Sequence, residues 1–204
     1  MDKSSNCALI DDDSALFADD ISRACEVLRS GGVILYPTDT VWGIGCDATN
    51  SDAVQRIYRI KHRADSKALI LLVADGEMMR AHAAPLPDVV NEMIEHPDGR
   101  PTTMVVDGGK GLAPEVLATD GSVGMRIPRD DFASALCHRY GLPIVSTSAN
   151  VSGMPSASCF CDISSEIVEA ADYVCRSKRN ANQASLPSKV IKIDANGRIT
   201  VLRP

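Results

Sequence analysis

The chain has 204 residues, 45% hydrophobic and 24% charged, with 21 Lys and Arg against 27 Asp and Glu for a net charge of -6. That length suits one domain spanning 1–204, and the composition excludes wholesale disorder and collagen-like or coiled-coil repeats. A net-acidic surface also argues against binding nucleic acid over its whole extent, so any anion site must be local. The longest apolar run, Ala68 to Ala74, is too short to span a bilayer, and the N-terminus lacks a basic segment followed by an apolar one. The expectation is a cytoplasmic protein with no membrane partner.

In chain order, Phe17, Ile21, Ala24, Cys25 and Leu28 recur at helical spacing and Gly31-Gly32 supplies a stop. Val33 to Tyr36 is a short apolar run halted by Pro37, which predicts a buried strand delivering the loop Pro37 to Gly45. A helix starts at Ser51-Asp52, whose oxygens can cap free N–H groups, and carries Val54, Ile57 and Tyr58 on one face. Ala68 to Val73 is continuously apolar, as a central strand covered on both faces would be. A helix over Pro87 to Glu95 follows, then strands at 103–106 and 123–127, a helix from Phe132 to Tyr140 ending at Gly141, and the strand 143–146. That strand opens into a polar loop, Thr147 to Gly153. A helix over 164–171, a strand at 173–175 and a polar stretch over 177–185 precede two strands flanking Asn196-Gly197, a strong hairpin signal. Alternating helices and strands define an α/β class, with antiparallel pairing at the C-terminal end.

Seven cysteines without pairing rhythm do not suggest a disulfide framework. Cys159 and Cys161 are close, but no Cys-x-x-Cys or suitably spaced His accompanies them, so the cysteines read as thiols of a reducing compartment. The four histidines are scattered, with no Gly-x-Ser-x-Gly elbow and no His-Glu-x-x-His helix; no resident metal site is expected.

Between Arg56 and Lys67 stand five cations and a single anion, Asp65. Arg56 and Arg59 suit a solvated helix face, whereas Lys61, Arg63 and Lys67 sit at a helix exit leading into a buried strand, where they can converge on an anion or form a solvated patch. Thr38 and Thr40 in one loop, and Ser146, Ser148 and Asn150 in the other, lie at the C-terminal ends of buried strands, the edge where α/β sheets bind ligands. Two phosphate-loop patterns fail. Gly43-Ile44-Gly45-Cys46-Asp47-Ala48 is too far from its strand and helix, and Gly109-Lys110 is followed by Gly111 rather than Ser or Thr.

Four separated segments together resemble the YrdC-like family of L-threonylcarbamoyladenylate synthases in its short form: Gly31 to Gly45, Lys61-x-Arg63-x-x-x-Lys67, Val123 to Pro128, and Ser146 to Gly153. Residues 99–103 keep Pro101 and Thr103 of a family motif but carry Arg100 where glycine is usual; residues 188–192 keep Ser188 of another but carry Lys189 beside it. The resemblance implies a twisted mixed β-sheet with flanking helices and a concave basic cavity. It further implies that ATP, L-threonine and bicarbonate or CO2 react to threonylcarbamoyl-AMP and pyrophosphate, with Mg2+ accompanying ATP. Downstream t6A-modification proteins would consume the product, with at most a weak tRNA contact by this chain. Carried over by position, Lys61 and Arg63 would be catalytic; Lys61, Arg63, Lys67, Thr103, Ser148, Asn150 and Ser188 would bind ATP; Thr40, Arg126 and Ser146 would bind threonine. Fixed cations can stabilise the charge that builds on an attacked α-phosphate, so the absence of a nucleophilic triad is consistent. The rival reading is a double-stranded RNA or tRNA-binding module without catalysis, disfavoured by the acidic charge and by an aromatic content of 4%. A carbamoyl-transfer domain of the hydrogenase-maturation type is a third class, for which the chain is short.

Overall fold

The computed structural model describes residues 5–62, 69–157, 159–180 and 187–204, with side chains from residue 14 onward. Nine strands form one mixed sheet: β1 (Ile34–Tyr36), β2 (Gly43–Asp47), β3 (Ile70–Leu72), β4 (Thr102–Val106), β5 (Val123–Arg126), β6 (Ile144–Ser148), β7 (Tyr173–Val174), β8 (Lys189–Ile193) and β9 (Ile199–Arg203). Their order is β7-β1-β2-β6-β3-β5-β4-β8-β9. Among the described residues six α-helices flank it: α1 (Ser5–Arg29), α2 (Ser51–Ile60), α3 (Gly76–Ala81), α4 (Asp88–Glu95), α5 (Asp131–Tyr140) and α6 (Ser165–Ala170).

Several sequence expectations need correction. Antiparallel pairing is not confined to the C-terminal end: it joins β1 to β2, β2 to β6, β6 to β3 and β5 to β4, as well as the β8–β9 hairpin. Residues 43–45, expected in a loop, belong to β2, because glycine lacks the side chain that marks a strand in sequence. Here its absence is required: a Cβ on Gly45 would lie 2.2 Å from the Val145 carbonyl oxygen of β6. Thr147 and Ser148 likewise extend β6 by pairing with Ile44 and Gly43. Asn50, not Ser51 or Asp52, caps α2, its Oδ1 accepting from Ala53 N at 3.1 Å. The short α3, capped by Asp75, carries too few turns to show a periodicity. The expected hairpin is present, with Gly197 in the left-handed region at φ +79°.

Strand alternation separates two cores. Val33, Leu35, Ile44, Leu71, Val145 and Met125 point to one face and bury against α2, α3 and α4. Ile34, Tyr36, Leu72 and Ile144 point to the other and bury against Cys25 and Leu28 of α1 and Phe132 and Leu136 of α5. This second cover stops partway along the strands. Two residues beyond Ile144, on the same face of β6, stands Ser146 and then Ser148; two before Leu72 on β3 stands Ile70. Each strand thus exchanges an apolar residue under the helices for a residue facing an open cavity, which is why Ile70 is only half-buried although its strand is central.

Candidate functional site

The cavity measures about 450 Å3 and draws its walls from seven strands and their loops. On one wall the Thr38–Gly43 turn folds on its own hydroxyls. Thr38 Oγ1 donates to Val41 O at 2.7 Å, accepts from Thr40 N at 3.2 Å and lies 3.1 Å from Thr40 Oγ1. Beneath it, Arg126 of β5 is 5% exposed and ion-paired, its Nη1 3.1 Å from Asp39 Oδ1 and 3.5 Å from Thr40 Oγ1. Its Nε is buried with no hydrogen-bond partner among the described residues. A buried guanidinium N–H without a partner, on a residue that lines a cavity, is a donor that a ligand acceptor can satisfy.

On the opposite wall, Thr103 Oγ1 and Ser188 Oγ are 2.9 Å apart and both buried. Arg203 of β9 grips Ser188, donating from Nε and Nη2 to Ser188 O at 3.0 and 2.7 Å and from Nη2 to Ser188 Oγ at 3.2 Å. Burial, followed by the like charges of Arg126 and Arg100, pushes the Arg203 pKa down. Like charges facing one hollow favour an anion between them. Between the two walls lie Ser146 and Ser148 of β6, with Gly43 and Gly124 keeping the floor low.

Six of the site residues expected from sequence therefore line one cavity: Thr40, Thr103, Arg126, Ser146, Ser148 and Ser188. Lys61 and Asn150 are not in its lining. At the C-cap of α2, Lys61 is 2% exposed and its Nζ donates to the carbonyl oxygens of Ser148 at 2.5 Å and Asn150 at 2.6 Å, while its own carbonyl accepts from Ser152 N at 3.0 Å. Asn150 Nδ2 donates to Val151 O and Met154 O. Both side chains hold the Ser148–Ser152 turn in place behind the cavity wall. Arg63 and Lys67 lie outside the described residues. Thr38, read from sequence as a loop hydroxyl at the ligand-binding edge, also lines the cavity; sequence reading missed Asp39 and Arg203 as contributors. Arg203 ends an ordinary hairpin strand and carries no local signal, whereas Asp39 stands between the two threonines and was legible as a polar loop residue without a role.

A mixed sheet whose open face gathers hydroxyls, the buried guanidinium of Arg126 and the exposed one of Arg203 around one hollow defines an α/β domain with a polar, concave pocket of the kind that holds a small ligand. The Sua5_yciO_yrdC family model, described as telomere recombination, matches residues 26–204, and the chain belongs to that family. The threonylcarbamoyl-AMP synthase of Marinobacter nauticus is 33% identical over 174 residues, 85% of this chain and 90% of the relative. That of Pseudomonas aeruginosa is 39% identical over 134 residues, 66% and 72% of the two chains. Among solved structures, E. coli YciO superposes with a TM-score of 0.78 at 26% identity, covering 90% of this chain and 87% of that one. P. abyssi Sua5 complexed with L-threonine gives 0.81 at 25% identity, covering 90% of this chain and 53% of that one. This chain thus spans about half the length of P. abyssi Sua5.

Among the described residues no helix is long and apolar enough to cross a membrane.

Proposed function

We propose that this chain is a threonylcarbamoyl-AMP synthase, a transferase that joins L-threonine, bicarbonate or CO2, and ATP. In this reaction the threonine amine bonds to the carbon of CO2 to give a carbamate. A carbamate oxygen then attacks the α-phosphorus of ATP, and pyrophosphate leaves. The observation that carries the reading is Arg126, buried against Asp39 with an unpartnered Nε, in a cavity whose lining also holds the hydroxyls of Thr38, Thr40, Thr103, Ser146, Ser148 and Ser188. A guanidinium held in this way recognises a carboxylate by charge and by its planar fork. Thr40 and Ser146 flank it, in keeping with a hydroxy amino acid as ligand. Across the cavity, Arg203, Ser188, Thr103 and Ser148 offer the donors a nucleotide phosphate needs; for Arg63 and Lys67 the phosphate-binding role rests on the family resemblance alone. Lys61 contributes by fixing the turn that carries Ser148 and is not itself a phosphate ligand in this reading.

The described lining contains no carboxylate, so it provides no cage for a resident divalent cation. Mg2+ would arrive on the ATP phosphates as part of the substrate complex, supplying further charge neutralisation there. The product is a mixed anhydride, and an acyl-transfer step onto tRNA, performed by separate t6A-modification proteins, must consume it. No aromatic ring is among the described lining residues, so nothing favours the RNA-binding alternative with its stacking platform.

Pyrophosphate release measured with purified, folded protein tests the assignment. Release should require ATP, L-threonine and bicarbonate together; none under those conditions, or the same rate without threonine, refutes it. A steep salt dependence of tRNA binding without any ATP-dependent turnover would instead support the RNA module.

A further inference from the structure

The segment that follows the Ser148–Ser152 turn holds a feature that the substrate chemistry does not use. Cys159 and Cys161 form a disulfide, correcting the expectation of free thiols. The bridge spans a single residue, so it closes a very short loop and restrains little of the unfolded chain, where disulfides gain most of their stabilising effect. What it constrains is Phe160, the residue between the two sulfurs.

Phe160 is placed where its position matters. Its ring lies 5.1 Å from Trp42 on one side, and the Arg179 guanidinium lies 4.6 Å from its centroid. Trp42 is fully buried and belongs to the Thr38–Gly43 turn, while its carbonyl accepts from Ala149 N at 2.8 Å, next to Ser148. The two hydroxyl-bearing segments of the cavity are therefore tied together at Trp42, and Phe160 packs on that tie. Ser156, just before the bridge, is itself in the cavity lining.

Access singles out this pair. Cys161 is exposed and Cys159 half-buried, whereas the free thiols of Cys25, Cys46, Cys137 and Cys175 are all at most 1% exposed. Burial pushes each of those four thiols up, which suppresses the reactive thiolate.

We propose that Cys159–Cys161 is a reversible thiol–disulfide exchange site whose substrate class is an external dithiol, and that its closure seats Phe160 on Trp42 and so sets the cavity wall. One thiolate of the dithiol attacks Sγ of Cys161, forming a mixed disulfide and releasing Cys159 as a thiolate. The second thiolate of the reagent attacks its own sulfur in the mixed disulfide, releasing Cys161. Two electrons and two protons pass to the protein, and the dithiol leaves as a disulfide. Reduction frees Phe160 to shift, and the Trp42 environment and the Ser148 and Ser156 positions relax with it.

Trp42 is the single tryptophan of the chain, so it reports on this site directly. The full chain is treated with dithiothreitol or with oxidised dithiothreitol, in EDTA because the Cys159, Cys161 and Asp162 ligand atoms lie within 4.8 Å of one another and could capture a metal once reduced. Three readouts follow: maleimide mass labelling under native conditions, Trp42 emission, and L-threonine binding by calorimetry. The expected result is two additional labels on Cys159 and Cys161 after reduction and a reversible change in emission that is absent from the Cys159→Ser/Cys161→Ser variant. L-Threonine should bind about fivefold more weakly in the reduced state, the size of one lost positioning contact. Labels on both cysteines after the oxidising treatment overturn the proposal, as do identical emission and identical threonine affinity in the two states. The threonine arm rests on the proposed function; a protein that changes emission and labels reversibly yet binds no threonine retains the exchange site and loses the substrate reading.

Discussion

Replacing Lys61 with methionine separates two roles that the sequence alone could not tell apart. Methionine retains an apolar stem of similar reach and removes the ammonium, which donates to the carbonyls of Ser148 and Asn150 at 2.5 and 2.6 Å in a site that is 2% exposed. Hydrogen bonds to a charged group contribute about 1.5–3 kcal/mol each, so loss of both should cost about 3–6 kcal/mol. For a chain of this size each kcal/mol moves the melting temperature by about 2–4 °C, which predicts a fall of about 6–24 °C. Calorimetric melting of wild type, Lys61→Met and Lys61→Arg, followed by pyrophosphate release on each, measures both consequences. An anchor loses stability and raises the KM for ATP through a misplaced Ser148. A melting temperature within about 2 °C of wild type together with a hundredfold fall in turnover would mean that the ammonium acts on substrate, and the structural role assigned here would be wrong.

Other outcomes follow from the same geometry. Arg126→Lys keeps the charge opposite Asp39 but loses the fork; the KM for L-threonine should rise about 10–100-fold with little change in melting temperature, and an unchanged KM would remove Arg126 from the carboxylate site. Asp20 is wholly buried and accepts from Tyr173 Oη at 2.6 Å, Arg176 N at 2.8 Å and Ser177 N at 2.6 Å. Burial alone would push its pKa up, but these hydrogen bonds outweigh it and hold the carboxyl below its ordinary value. A lowered carboxylate pKa stabilises the fold above the unfolded value and loses that stability as pH falls through the folded one, so denaturant titrations below about pH 4 should show a slope that Asp20→Asn flattens. Gly45→Ala places a methyl 2.2 Å from Val145 O, and its urea midpoint should fall far more than that of Gly121→Ala, where a Cβ meets nothing within 4 Å and only the positive φ resists; equal losses would refute the steric account.

Local signals in the sequence settled much of the architecture. Apolar periodicity marked α2 and α5, Gly141 stopped α5 by adopting the left-handed conformation at φ +81°, and Asn196-Gly197 turned the last hairpin. Short-range chemistry of this kind needs no knowledge of distant partners. Hydroxyls at strand ends also marked two cavity walls correctly, because Thr40, Ser146 and Ser148 occupy positions whose neighbours two residues away are buried. Long-range pairing was different. β2 became a strand because β6 approaches too closely for any side chain at Gly45. Lys61 turned toward two backbone carbonyls that lie 87 and 89 residues away in sequence. Arg203 entered the cavity because β9 pairs with β8 and places it over Ser188, and the Cys159–Cys161 bridge depends on a turn held by Asp162 and by the packing of Phe160 on Trp42. Which residues are polar, apolar or charged is written in the chain; which of them meet, and hence which cation faces a ligand and which one holds a loop, is decided only when the sheet closes.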